Sequence, residues 1–240
     1  MQTDFKAGQI LVFDKPLHWT SFQLVGKVRW LLCRAIGEKK LKVGHAGTLD
    51  PLATGVMVVC TGKSTKRIEE LQKGEKEYIA TLQLGATTPS FDLEHEVDET
   101  FPTDHINAAL IEEVLGTFRG DIEQVPPAFS ACKIDGKRAY DLARKGKEVE
   151  LKAKPITIHE LEILDFNPAT MSLQLRVRCS KGTYIRSLAR DIGQALHSGA
   201  HLTALRRTKV GDFNVDNAFP DIEAFEKWLD DNKESITRGQ

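Results

Sequence analysis

The sequence predicts an α+β fold, and three observations lead there. "ITIHELEILDF" (156–166) and "MSLQLRVRC" (171–179) read as the two strands of a hairpin closed by "NPAT". The second strand alternates, with Leu173, Leu175, Val177 and Cys179 on one face and Gln174, Arg176 and Arg178 on the other. Near the N-terminus, Phe22, Val25, Val28, Leu32 and Ile36 recur at the spacing of a helix face. Hairpins and helices follow one another without the regular strand–helix–strand repeat of a parallel sheet.

Taken in order, "QILVFDK" is a short apolar strand that Pro16 stops. Thr20 or Ser21 caps the helix beyond it, and Gly37 with the lysines of 39–42 forms a basic connector. "VMVVC" is a wholly apolar strand, and "KSTKRIEELQK" predicts a polar helix closed at Gly74. In "KEYIATLQLG", Tyr78, Ala80, Leu82 and Leu84 share one face of a half-buried strand. Asp104 is expected to cap a helix through Leu115. After the hairpin, Ile185, Leu188, Ile192 and Leu196 mark an amphipathic helix that starts at Thr183 and ends at Gly199. With 240 residues, no internal repeat and no low-complexity linker, one domain over 1–240 is expected.

No apolar run reaches the roughly 18 residues of a membrane span, and "MQTDFKAGQ" lacks the basic and apolar parts of a secretion signal. Cys33, Cys60, Cys132 and Cys179 are scattered without metal-ligand spacing, so they are expected to be core thiols, with no metal site, in a cytoplasmic protein. The net charge of −1 hides a separation. Residues 91–113 hold eight acids and no Lys or Arg, whereas residues 130–154 hold eight basic residues against four acids. A second basic group is Arg206, Arg207 and Lys209. Each run could be a solvated face; two together point toward a polyanionic partner.

One stretch stands apart. From Gly44 to Gly62 the only formal charge is Asp50, in "GHAGTLDPLATG". Pro51 pushes Asp50 into an extended conformation, and Gly47 and Gly55 allow tight turns on either side. An Asp-Pro turn explains that pattern, and so does a carboxylate presented from a loop on a rigid scaffold. A second anomaly is Arg186, which lies in the first turn of its helix and faces the positive end of the dipole. A carboxylate would offset that, and Asp50 is a candidate.

These residues carry a resemblance. "KVGHAGTLDPLATGVMVVCTGKSTK" closely resembles the signature of the TruB family of tRNA pseudouridine synthases. "LVFDKPLHWTSF", "KEYIATLQLG", "GTFRGDIEQVPPAFSACKIDGKRAYDLARKG", "CSKGTYIRSLARDIG" and "AHLTALRRTKVGDF" match further family segments in the same order, over roughly residues 8 to 214. The resemblance implies the pseudouridine synthase fold: a mixed, mostly antiparallel central sheet flanked by helices and loops. It also implies isomerisation of uridine to pseudouridine at position 55, in the T-loop of tRNA, after base flipping. Asp50 matches the catalytic nucleophile. His45 matches the residue that holds the RNA once the uridine leaves its stack, and Tyr78 the tyrosine that stacks on the flipped base. Tyr184 resembles a substrate-pocket residue, Arg186 the arginine paired with the aspartate, and Leu205 a leucine lining the pocket.

The chemistry agrees with the composition. The N-glycosidic bond breaks, the uracil turns, and C1′ joins C5; attack by Asp50 at C1′ and at C6 both fit. No redox change or added atom is involved, so no cofactor or metal is expected, and one carboxylate suffices. The expected partner is the tRNA T-arm, with no membrane and no obligate protein partner, for a monomer. Three departures stand out: His18 replaces the glycine of the D-K-P-x-G pattern, "PSFDLEHEV" alters a Thr/Asp-rich segment, and too few residues follow "KVGDF" for the accessory PUA domain. RNA-guided relatives depend on that domain. A non-catalytic RNA chaperone would not need Asp50, Tyr78 and Arg186 together, and a hydrolase would need a second acid.

Overall fold

The computed structural model describes residues 2–128 and 151–237, together with the backbone of residues 133–134 and 137–138. The chain divides into two compact units, Met1–Glu77 with Arg206–Gln240, and Tyr78–Leu205.

The first unit begins with β1 (Ile10–Lys15), α1 (Ser21–Ile36), β2 (Val43–His45) and β3 (Ala53–Thr61). α1 forms where the apolar spacing places it. Thr20 caps it in a reciprocal capping box with Gln23, and Gly37 closes it at φ 73°. Its buried face is Leu24, Val25, Val28, Leu31, Leu32 and Ile36. β1 runs antiparallel to β3 with Val12 opposite Val58, and β2 pairs with the same strand through His45 opposite Val59. β3 is therefore central, which explains why "VMVVC" is apolar on both faces.

The polar helix expected after β3 is not continuous. A 3-10 turn over Gly62–Arg67 precedes a single helical turn, α2 (Ile68–Leu71). The Thr65 hydroxyl donates to the Gly62 carbonyl three residues back (2.8 Å), which favours the tighter winding. The unit also takes the C-terminal half of a long strand, described below, that lies beside β3.

The second unit holds most of β4 (Lys76–Leu84), the short pair β5 (Ala86–Thr87) and β6 (Glu99–Thr100), α3 (Ala108–Phe118) and β7 (Gly120–Gln124). The short strands β8 (Lys133–Ile134) and β9 (Lys137–Arg138) come next. They are followed by β10 (Lys154–Asn167), β11 (Ser172–Cys179), α4 (Ile185–Ala195) and the first half of β12 (Ala200–Val210). The sheet order is β12-β4-β11-β10-β7. β10 and β11 form the expected antiparallel hairpin, with Leu161 opposite Val177, and every second residue of β4 and β11 is buried. α3 starts later than expected: Asn107, not Asp104, is the cap, its side chain accepting the Leu110 N–H at 3.0 Å. Asp104 falls inside a turn closed by Ile106 N–H to Thr103 O.

The last elements return to the first unit: β13 (Phe213–Asn214), paired with β12, and α5 (Ile222–Asp231), capped by Asp221. Phe13, Phe219, Phe225 and Trp228 form an aromatic cluster under α5. The architecture is α+β with mostly antiparallel sheet, as expected. Among the described residues no helix is long and apolar enough to cross a membrane.

Candidate active site

Asp50 and His45 belong to the first unit. Asp50 is half-buried in the loop between β2 and β3, and the backbone of that loop is held throughout. The Gly47 and Thr48 carbonyls each accept an N–H of the Arg207 guanidinium at 3.2 Å. The Leu49 carbonyl accepts the Ser21 hydroxyl (3.0 Å), and the Ser21 Oγ in turn accepts the Leu49 N–H (2.9 Å). The Asp50 carbonyl accepts the Ala53 N–H (3.0 Å), and the Pro51 carbonyl accepts the His18 N–H (2.7 Å). Five successive carbonyls thus each have a donor, at about 1 kcal/mol net for a typical bond. A loop so satisfied has little backbone freedom left.

The glycines serve this geometry. Gly47 and Gly55 sit at φ 112° and 108°, where a side chain is strained. A Cβ on Gly55 would lie 2.1 Å from the Arg207 carbonyl oxygen, so β12 passes flush against the start of β3. His18 stands at φ 66° in the left-handed region that a glycine would take freely. For a residue with a side chain that conformation costs about 1–2 kcal/mol.

Two cations sit behind the loop. Lys15 is fully buried, and its ammonium donates to the Pro16 (2.9 Å) and Trp19 (2.6 Å) carbonyls. Burial lowers its pKa to about 8; the Asp50 carboxylate works against that shift and the Arg207 guanidinium adds to it. Arg207 is 2 % exposed and gives its Nε–H to the Val56 carbonyl at 2.9 Å. Burial also pushes the His45 imidazole below its usual range; a Gly47 backbone bond opposes this and Arg207 reinforces it, so the ring is neutral at pH 7. Arg206, by contrast, forks onto the Asp14 carboxylate (2.6 and 3.1 Å). Of the group Arg206, Arg207 and Lys209 expected to face a polyanion, only Lys209 is exposed. In the larger basic segment Lys152 and Lys154 are exposed, whereas Lys133, Lys137, Arg138, Arg144, Lys145 and Lys147, and Cys132 among them, have side chains outside the described residues. Cys60 and Cys179 are buried as expected, and Cys33 half-buried.

Tyr78, Tyr184, Arg186 and Leu205 belong to the second unit. Tyr78 is a buried member of the inward face of β4, and Leu205 is half-buried in β12. Tyr184 occupies the N-cap of α4, where the buried Gln124 amide accepts its N–H (2.8 Å) and donates to its carbonyl (3.1 Å). Arg186, in the first turn of α4, is 5 % exposed, which rules out a side chain extended into solvent. It donates to the Ser90 carbonyl (3.3 Å), and its Nε lies 3.7 Å from the Asp92 carboxylate. Asp92 is itself oriented by the Glu94 N–H (3.0 Å). Dipole repulsion at this helix start is thus met by a buried acid, and that acid lies in "PSFDLEHEV", the altered segment.

Lys15, Ser21, Gln124, Asp92 and Arg207 are contributors that the sequence analysis did not single out as site residues. Only the lysine left a signal of its own, a charge at the end of an apolar strand.

The chain matches the model of the TruB family pseudouridylate synthase N-terminal domain over residues 34–185, and that of the tRNA pseudouridylate synthase B C-terminal domain over residues 186–238. It is 65 % identical over 227 residues to tRNA pseudouridine synthase B of Phocaeicola vulgatus, covering 95 % of both chains. It is 62 % identical over 234 residues to the protein of that name from Bacteroides fragilis, covering 98 % of this chain and 99 % of the other. Among solved structures, it resembles a chain of a Cbf5–Nop10–Gar1 complex at 29 % identity and a TM-score of 0.65. It also resembles a chain of an H/ACA RNP bound to a substrate RNA containing 2′-deoxyuridine, at 27 % identity and a TM-score of 0.62. The likeness covers 88 % of this chain and about half of each of those chains, 50 % and 49 %. Family model, relatives and fold agree: the chain belongs to the TruB family of pseudouridylate synthases.

Proposed function

We propose that this protein converts uridine to pseudouridine at position 55, in the T-loop of tRNA, with Asp50 as nucleophile. The observation that carries the reading is the Asp50 loop: a single carboxylate, without a second acid in the segment, on a backbone whose carbonyls from Gly47 to Pro51 are all bonded. The relatives' shared name, tRNA pseudouridine synthase B, supports the substrate.

The reaction balances without an outside reagent. The target nucleotide is extruded from its stack at a cost of a few kcal/mol, and stacking on Tyr78 returns about 1–3 kcal/mol. Asp50 adds to the nucleotide, the N1–C1′ bond breaks, and the uracil turns within the pocket. C5 then bonds to C1′, the bond to Asp50 breaks and returns its carboxylate, the C5 proton leaves, and N1 ends protonated. Neutral His45 holds the vacated stack, and Tyr184, Arg186 and Leu205 serve substrate binding. The protein acts as a cytoplasmic monomer, with tRNA as its partner and no obligate protein partner. No cofactor is needed.

The test is conversion of a tRNA transcript by the protein alone, without guide RNA, against a transcript with cytidine at position 55. Pseudouridine should form in the first and not in the second. Conversion that requires an added guide RNA or protein would favour the RNA-guided class, and conversion at another position would overturn the T-loop assignment. An isolated T-arm hairpin should react within about tenfold of whole tRNA, a difference of 1.4 kcal/mol.

A further inference from the structure

We propose that Arg207 is a positioning residue for this reaction: it sets the peptide planes that lead into Asp50, acting through the backbone and not through contact with RNA. The inference rests on the function proposed above and adds to it a residue outside the candidate site set.

The argument starts from an oddity of charge. Among the described residues, no carboxylate lies within ion-pair distance of this buried guanidinium, although its neighbour Arg206 has Asp14. A buried cation without a counter-ion is costly and persists only where good hydrogen bonds compensate it. Here all the bonds run to backbone oxygens: Gly47 and Thr48 before the nucleophile, Val56 after it. The planar fork thus ties the two ends of the Asp50 loop together.

The direction of the bonds matters. In a trans peptide, C=O and N–H point opposite ways. The 48–49 peptide gives its oxygen to Arg207 on one side and its N–H to Ser21 on the other. Rotating that plane breaks both bonds. The next two carbonyls are held by Ser21 and Ala53, so both peptide planes flanking the Asp50 Cα have a fixed partner. Arg207 itself cannot drift, because its backbone abuts Gly55. A lysine would carry the same charge, but its ammonium is a point donor and cannot span three carbonyls set around a plane.

Two variants and two readouts test this. In Arg207→Lys, amide exchange across residues 44–52 should accelerate while α3 and β11 exchange as in the wild type. The single-turnover rate per folded molecule should fall about 100-fold, the penalty for a misplacement of about 1 Å, with tRNA affinity unchanged. Ser21→Ala, which frees the other side of the same peptide, should show the same signature at about tenfold, the worth of one such bond. Because both act through one plane, the double variant should be much less impaired than the product of the singles. A folded Arg207→Lys with near-wild-type rate, or one whose loss lies entirely in RNA affinity, overturns the proposal. So does unchanged loop exchange, which needs no activity and therefore reads Arg207 even if the wild type fails to convert uridine. That failure would overturn the function instead.

Discussion

Two buried arginines, one in each unit, solve the same problem in opposite ways. Arg186 is opposed by charge, with the buried Asp92 carboxylate at 3.7 Å. Arg207 is met by dipoles, three backbone carbonyls and no acid at ion-pair distance among the described residues. The difference separates two uses of one side chain. A guanidinium against a carboxylate sets local electrostatics. A guanidinium against main-chain oxygens sets local shape. The Asp50 loop is uncharged apart from Asp50, so it can be held only by the second means.

The sharpest way to break the comparison is to remove one partner of the charged pair. Arg186→Met leaves Asp92 buried and unpaired, and unfolding titrations should show a loss of about 3–5 kcal/mol. Adding Asp92→Asn should recover part of that stability and none of the chemistry. If the double variant is no more stable than the single, Arg186 is not held by charge.

A smaller effect concerns Lys15, the other cation behind the loop. Its folded pKa of about 8 lies below its ordinary value of 10.5. Between those values the unfolded chain binds the proton and the folded chain does not, so this group makes stability rise with pH. Relative to Lys15→Met, the wild type should gain up to about 1.4 kcal/mol per pH unit across that window. A parallel pH dependence in the two proteins would show that the buried ammonium is not the cause.

Smaller still is the contribution of exposed basic residues to RNA affinity. Charge reversal at Lys137 and Arg138 should flatten the slope of log affinity against log salt by about 0.7–0.9 per lost phosphate contact. An unchanged slope would make that segment a solvated face. The smallest effect is expected at His18. Replacement by glycine relieves about 1–2 kcal/mol of left-handed strain and returns about 0.5–1 kcal/mol through chain entropy. The melting temperature should rise slightly, with the rate unchanged because the N–H to Pro51 remains.

The contrast also explains what was legible in the sequence. Periodicity located α1, β4 and the β10–β11 hairpin because their buried faces repeat at fixed intervals. Two readings that rested on no such repeat did not hold: the polar helix over 63–73, where Thr65 back-bonds to Gly62, and the Asp104 cap, where a competing cap three residues on prevails. Asp50 was visible as the one charge in an uncharged stretch. Arg207 was read with Arg206 and Lys209 as a basic group, because composition does not distinguish a cation facing water from one facing carbonyls. Asp92 was hidden for a related reason. Its partner Arg186 is 94 positions away, and eight acids crowd the segment that holds it.

The central claim is that one carboxylate, aimed by a fixed loop, performs the chemistry. Single-turnover conversion of tRNA by Asp50→Asn and Asp50→Glu, with matched binding measurements, tests it most directly. Asn keeps the volume and removes the nucleophile, whereas Glu keeps the carboxylate and displaces it by one methylene. Both should bind tRNA within a few-fold of wild type, Asn should make no detectable pseudouridine, and Glu should lose about 100-fold or more, as expected for a misplaced reacting group. Near-normal conversion by Asp50→Asn would contradict the account and leave Asp50 a turn residue.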